Sequence, residues 1–86
     1  MLKITPTSSP TGERLVLEGK ISGPWVAELR SLCEAALNDH HRLTLDLTHV
    51  SYIGIDGISL FRLLLRREVM LVGASSFVTE QLKNTR

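Results

Sequence analysis

The sequence predicts an α/β domain, a mixed and partly parallel sheet with helices packed on it, in the order β-β-α-β-α-β-α. Three observations carry that expectation. Leucines occupy every second position over 43–47, the period of a strand with one buried face. Apolar residues recur at three- and four-residue intervals over 25–36 and again over 58–65, the period of a buried helix stripe. In the second half, strand-like and helix-like segments alternate, as they do when helical crossovers join neighbouring strands. With 86 residues the chain is expected to form a single domain, 1–86.

Taken in order, Leu2 and Ile4 alternate with Lys3 and Thr5, a short strand signal. The stretch 5–12, rich in Pro, Ser, Thr and Gly, reads as a loop between two strands. Over 14–19, Leu15 and Leu17 share a face and Gly19 is expected to close the strand. Pro24 suits a first helical position, where its missing N–H has no partner to lose. The helix should reach about Asn38 and bury Trp25, Leu29, Leu32, Cys33 and Ala36. A strand over 42–48 follows, then a glycine-flanked passage into a second helix ending near Arg66. The run over 69–72 is apolar and β-branched at both ends, as expected of a strand buried on both faces. Gly73 ends it, and Ser75 or Ser76 can cap a last helix to about Lys83.

Composition narrows the function classes. Ten Lys/Arg against nine Asp/Glu leave a net charge of +1, so nothing in the charge balance points to nucleic acid. No apolar run approaches the length needed to span a bilayer, the first residues lack a signal-peptide core, and direct membrane insertion is not expected. A lone cysteine, Cys33, cannot form an internal disulfide, which fits a reducing, cytoplasmic setting. Its place in an apolar helix stripe marks it as a packed side chain rather than a nucleophile.

Catalytic chemistry finds little support. No serine lies in a Gly-x-Ser-x-Gly turn, and the glycines form no phosphate-cradling loop. His40, His41 and His49 with Asp46 are the one cluster resembling a metal site. Adjacent histidines diverge, however, and no further ligand stands at a standard zinc spacing. A non-catalytic protein with no cofactor and no metal is therefore expected. The second helix is more informative. Asp56, Ser59, Leu60, Leu63 and Arg67 follow i, i+3/i+4, i+7 and i+11 spacing and define one outward stripe, an apolar centre ringed by charge that suits protein docking. Asp56 falls near the helix start, where a carboxylate can accept free backbone N–H groups and sits well in the helix dipole. Gly54 and Gly57 beside it are expected to ease the turn from strand to helix.

The segment Leu43-Thr44-Leu45-Asp46-Leu47-Thr48-His49-Val50-Ser51-Tyr52-Ile53, continuing Gly54-Ile55-Asp56-Gly57-Ile58, resembles the centre of STAS domains, the sulfate transporter and anti-sigma factor antagonist modules. The strand and helix over 69–78 and the early strand over 17–21 resemble the family in the same order. The resemblance spans nearly the whole chain from Arg14 and implies a SpoIIAA-like fold in a short form, without the family's usual last strand and helix. That leaves a sheet edge at which a second copy could pair.

The resemblance also implies a function. In regulatory members the loop reads Asp-Ser-Ser-Gly, and a partner kinase that is also the anti-sigma factor phosphorylates the second serine. On this chain those positions are Gly54, Ile55, Asp56 and Gly57, so only the glycine is kept. Asp56 is the phospho-acceptor equivalent and places a fixed negative charge there, with less charge and fewer oxygens than a phosphate. The resemblance thus implies a bacterial, cytoplasmic regulator similar to an anti-sigma factor antagonist, with a partner-binding surface of Asp56, Gly57, Ser59, Leu60, Leu63 and Arg67. The alternative is a small STAS subunit that docks on the ATPase of a membrane lipid-transport ABC complex.

Overall fold

A computed structural model describes residues 2–10, 12–38 and 42–83. The elements are β1 (Leu2–Ser9), β2 (Gly12–Ile21), α1 (Pro24–Asn38), β3 (Leu43–Ile53), α2 (Ile55–Arg66), β4 (Met70–Val72) and α3 (Ser76–Lys83). This is the expected β-β-α-β-α-β-α order. The sheet is mixed, with strand order β1-β2-β3-β4; β1 is antiparallel to β2, and β2, β3 and β4 are parallel.

Several boundaries differ from the sequence expectation. The Pro- and Ser-rich stretch 5–9 is strand, pairing Thr5 with Val16 and Pro6 with Leu15 in a hairpin. β1 is an edge strand, and an edge tolerates a proline because one row of its N–H groups has no ladder partner. Gly19 does not close β2, which runs on to Ile21, and β3 continues past Thr48 to Ile53. β4 is not buried on both faces: Met70 is 64% exposed and the other two residues are half-buried. The expected helix starts hold. Pro24 opens α1, and the Ser75 hydroxyl accepts the Val78 N–H at 3.2 Å to cap α3.

The register places Leu2, Ile4, Leu15, Leu17, Leu43 and Leu45 on one face of the sheet. Right-handed crossovers put α1 and α2 over that face, where they touch one another and close the core with Leu29, Cys33, Phe61 and Leu64. Both helices return against parallel strands and therefore run parallel to each other. Trp25 is half-buried against this core, whereas Leu32, expected inside, is exposed. On the opposite face lie Lys3, Arg14, Glu18 and Asp46, with ion pairs Lys3–Glu18 at 4.0 Å and Arg14–Asp46 at 2.9 Å. Among the described residues, no helix is long and apolar enough to cross a membrane.

Candidate functional site

The site forms where β3 turns into α2. Gly54 is the helix N-cap, in extended conformation with no side-chain cap; its N–H donates to the Ile21 carbonyl at 2.8 Å and its carbonyl accepts the Ile58 N–H at 2.9 Å. The sequence suggested Asp56 for the capping role. It is instead the second residue of the helix and is exposed, and its carboxylate makes no hydrogen bond or ion pair among the described residues. It lies in the first turn, where the helix dipole favours a negative charge.

Gly57 is needed for space rather than for turning. A Cβ there would lie 2.8 Å from Ile53 Cγ2 and 3.0 Å from Ile21 Cγ2, both on stiff β-branched side chains. The missing side chain lets the first turn of α2 settle directly on the ends of β2 and β3. Gly57 is accordingly buried and lies beneath the surface expected to include it.

The outward stripe is corrected in a second place. Leu60 is 3% exposed and belongs to the core, because it faces α1 rather than solvent. Ser59 and Arg67 are exposed and Leu63 is 44% exposed, as the helical spacing requires. Leu65, within the apolar run over 58–65, is nonetheless 49% exposed, and Ile55 is 82% exposed beside Asp56.

The other wall of the site lies on α1. Between α1 and α2 runs an open groove of about 520 Å³. Asp56, Ser59 and Leu60 line it from α2, and Gly23, Val26, Ala27, Arg30 and Ser31 from the α1 side. Ala27 and Ser31, at helical i, i+4 spacing, and Gly23 just before α1 have little side chain to fill it. At the far end Arg67 Nη1 donates to Glu34 Oε1 at 2.8 Å and ties the two helices. The only forward signal for the α1 wall was that small-residue spacing, which does not by itself say what faces it.

The other candidate groups are spent on structure. Asp46 accepts the Thr48 N–H at 3.0 Å, the Thr48 hydroxyl at 2.6 Å and Arg14 at 2.9 Å. These bonds, the Thr48 hydroxyl first, hold its carboxyl down at about 2. Cys33 is fully buried, and desolvation, with the Glu34 charge second, pushes its thiol up to about 12. His49 is exposed and pairs in register with Glu18, while Asp39, His40 and His41 lie outside the described residues.

No family model matches the chain, and no curated protein matches it. Among solved structures, its backbone is similar to that of an uncharacterised protein of the DUF3478 family from Shewanella loihica PV-4, described as having a SpoIIAA-like fold. The TM-score is 0.61 at 15% identity, over 88% of this chain and 69% of that one. The fold is SpoIIAA-like. That is the fold the STAS resemblance implies, and at this identity the likeness speaks for the fold alone. In this SpoIIAA-like domain, the turn from β3 to α2 and the α1–α2 groove make up a single continuous surface.

Proposed function

We propose that this SpoIIAA-like domain is a non-catalytic regulatory module that binds another protein through the start of α2, in the manner of an anti-sigma factor antagonist. The observation that carries the reading is Asp56, an exposed carboxylate in the first turn of α2, unpartnered among the described residues and beside an open groove, at the position that the STAS resemblance equates with the phospho-acceptor. A charge with no internal partner adds little to the fold and is available to another molecule. Ser59, Leu63 and Arg67 extend the surface along α2, and the buried Gly57 and Leu60 support it from below. The proposed setting is the bacterial cytoplasm, and the proposed switch state is fixed, because Asp56 carries its charge without a kinase.

The test is affinity capture from the native host, followed by mass spectrometry. The wild-type chain is expected to retain a kinase-like anti-sigma factor. A Leu63→Asp, Asp56→Arg double variant with unchanged circular dichroism is expected to lose it. Undiminished capture by the folded double variant overturns the proposed surface. Capture of an ABC ATPase in place of an anti-sigma factor transfers the same surface to the transporter reading.

A further inference from the structure

We infer that Gln81 is a positioning residue for the β3–α2 turn, through which the docking of α3 sets how Asp56 is presented. Its bearing on a partner rests on the protein-binding reading above; the link between α3 and the turn follows from contacts within the chain. Two consecutive residues are gripped by different elements. The Gln81 side-chain amide on α3 accepts the Ile53 N–H at 3.0 Å and donates to the Ile53 carbonyl at 2.9 Å. The next residue, Gly54, donates its N–H to the Ile21 carbonyl at the end of β2, at 2.8 Å. Asp56 stands two residues further on.

Ile53 is also where α2 rests. It is fully buried, and Gly57 lies so near that a Cβ there would come within 2.8 Å of Ile53 Cγ2. A shift of Ile53 therefore reaches both ends of the segment 54–57, through the peptide bond to Gly54 and through packing on Gly57. β4 does not share the load, because it pairs with Thr44, Leu45 and Asp46 and stops short of Ile53. The brace itself is lightly held. α3 has eight residues, too few for a stable helix alone in water, and Val78 is its one buried residue. Elements with few buried contacts open at lower free energy than the core. Release of α3 thus frees Ile53 and loosens the turn that carries Asp56.

Amide hydrogen exchange on the full chain tests this with two variants. Gln81→Met keeps the length of the side chain and removes both hydrogen bonds. Gln81→Glu keeps the acceptor and lacks the donor until its carboxyl is protonated. The reporters are the Gly54 N–H and the Ile58 N–H, which donates to the Gly54 carbonyl, with Leu45 in β3 as the control. At pH 7 both variants are expected to exchange about tenfold faster than wild type at the two reporters, beyond any change at Leu45. At pH 4.5, about where a carboxyl facing an unpaired carbonyl takes up its proton, Gln81→Glu should return toward the wild-type rate while Gln81→Met stays fast. Asp56 and Glu80 titrate in all three proteins, so each rate is taken relative to wild type at the same pH. The proposal is overturned if the reporters change no more than Leu45, or if acid fails to restore Gln81→Glu. Loss of partner capture in the Leu63→Asp, Asp56→Arg variant, with reporters indifferent to Gln81, would sink this inference and leave the protein-binding reading standing. Reporters that respond while that variant still captures its partner would uphold the Gln81 link and sink the binding surface.

Discussion

Asp46 shows how a residue can look chemical in sequence and prove structural. It stands in mid-strand near three histidines, yet its oxygens are taken up by Thr48 and Arg14. The bond to the Thr48 N–H, two residues on, closes an Asx turn, and Gly73 at the end of β4 fits against this cluster. Gly73 has a φ of +72°, and a Cβ there would run into the Thr48 hydroxyl, so both the backbone angle and the space exclude a side chain. The pH dependence follows from the lowered carboxyl value of about 2. A folded-state value below the unfolded one means that the unfolded chain takes up the proton first. The stabilisation is therefore complete above about pH 4 and is lost as the pH falls toward 2. Asp46→Asn keeps one acceptor for the Thr48 N–H but removes the charge. It is expected to cost about 1–2 kcal/mol at neutral pH and to flatten the stability profile between pH 4 and 2. Urea titrations of both proteins across that range check it, and parallel profiles would refute the assignment.

At the scale of elements, β3 explains why its own length was hard to read. Its ladder with β2 slips twice, between Val16 and Glu18 and between Gly19 and Lys20. Buried residues therefore fall at Leu47, Val50 and Ile53, three apart instead of two, and the alternation that marks Leu43, Leu45 and Leu47 disappears. A bulged strand no longer looks like a strand in sequence, just as an edge strand with Pro6 looks like a loop. The helix boundaries were legible because Pro24, Gly73 and Ser75 act through local geometry. Beyond the three residues that β4 pairs, the far edge of β3 is completed by α3. Gln81 accepts the Ile53 N–H at 3.0 Å and donates to the Ile53 carbonyl at 2.9 Å, so a side-chain amide stands in for a strand residue. Gln81→Ala leaves both part-buried backbone groups unpaired and is expected to cost about 2–3 kcal/mol. Hydrogen exchange at the Ile53 amide should speed up more than at Leu45, whose ladder is untouched. Equal changes at the two amides would show that the amide pair does not hold α3 to the sheet.

At the scale of the molecule, the site was half legible. The α2 half could be read because Asp56, Ser59, Leu63 and Arg67 follow one helix. The α1 half lies about thirty residues earlier and reaches the site only through the β2-α1-β3 crossover, which no local pattern specifies. The sheet edges bear on the remaining expectation, pairing with a second copy. At one edge β4 has three residues, which limits any added ladder to a few hydrogen bonds. At the other, β1 presents Pro6, which lacks a donor, and the exposed Lys3, whose charge resists stacking against a like strand. Each edge thus carries a feature that resists pairing, shortness in β4 and Pro6 with Lys3 in β1, so the chain is expected to be monomeric. Its Cα radius of gyration, 11.8 Å, matches the roughly 12 Å of a compact chain of this length, whereas a compact dimer would reach about 15–16 Å. Small-angle scattering over a concentration series separates the two. A radius that stays near 12–13 Å leaves α1 and α2 free to meet a different protein, while growth toward the dimer value would mean that the β1 or β4 edge, or the groove itself, suffices to hold a second copy.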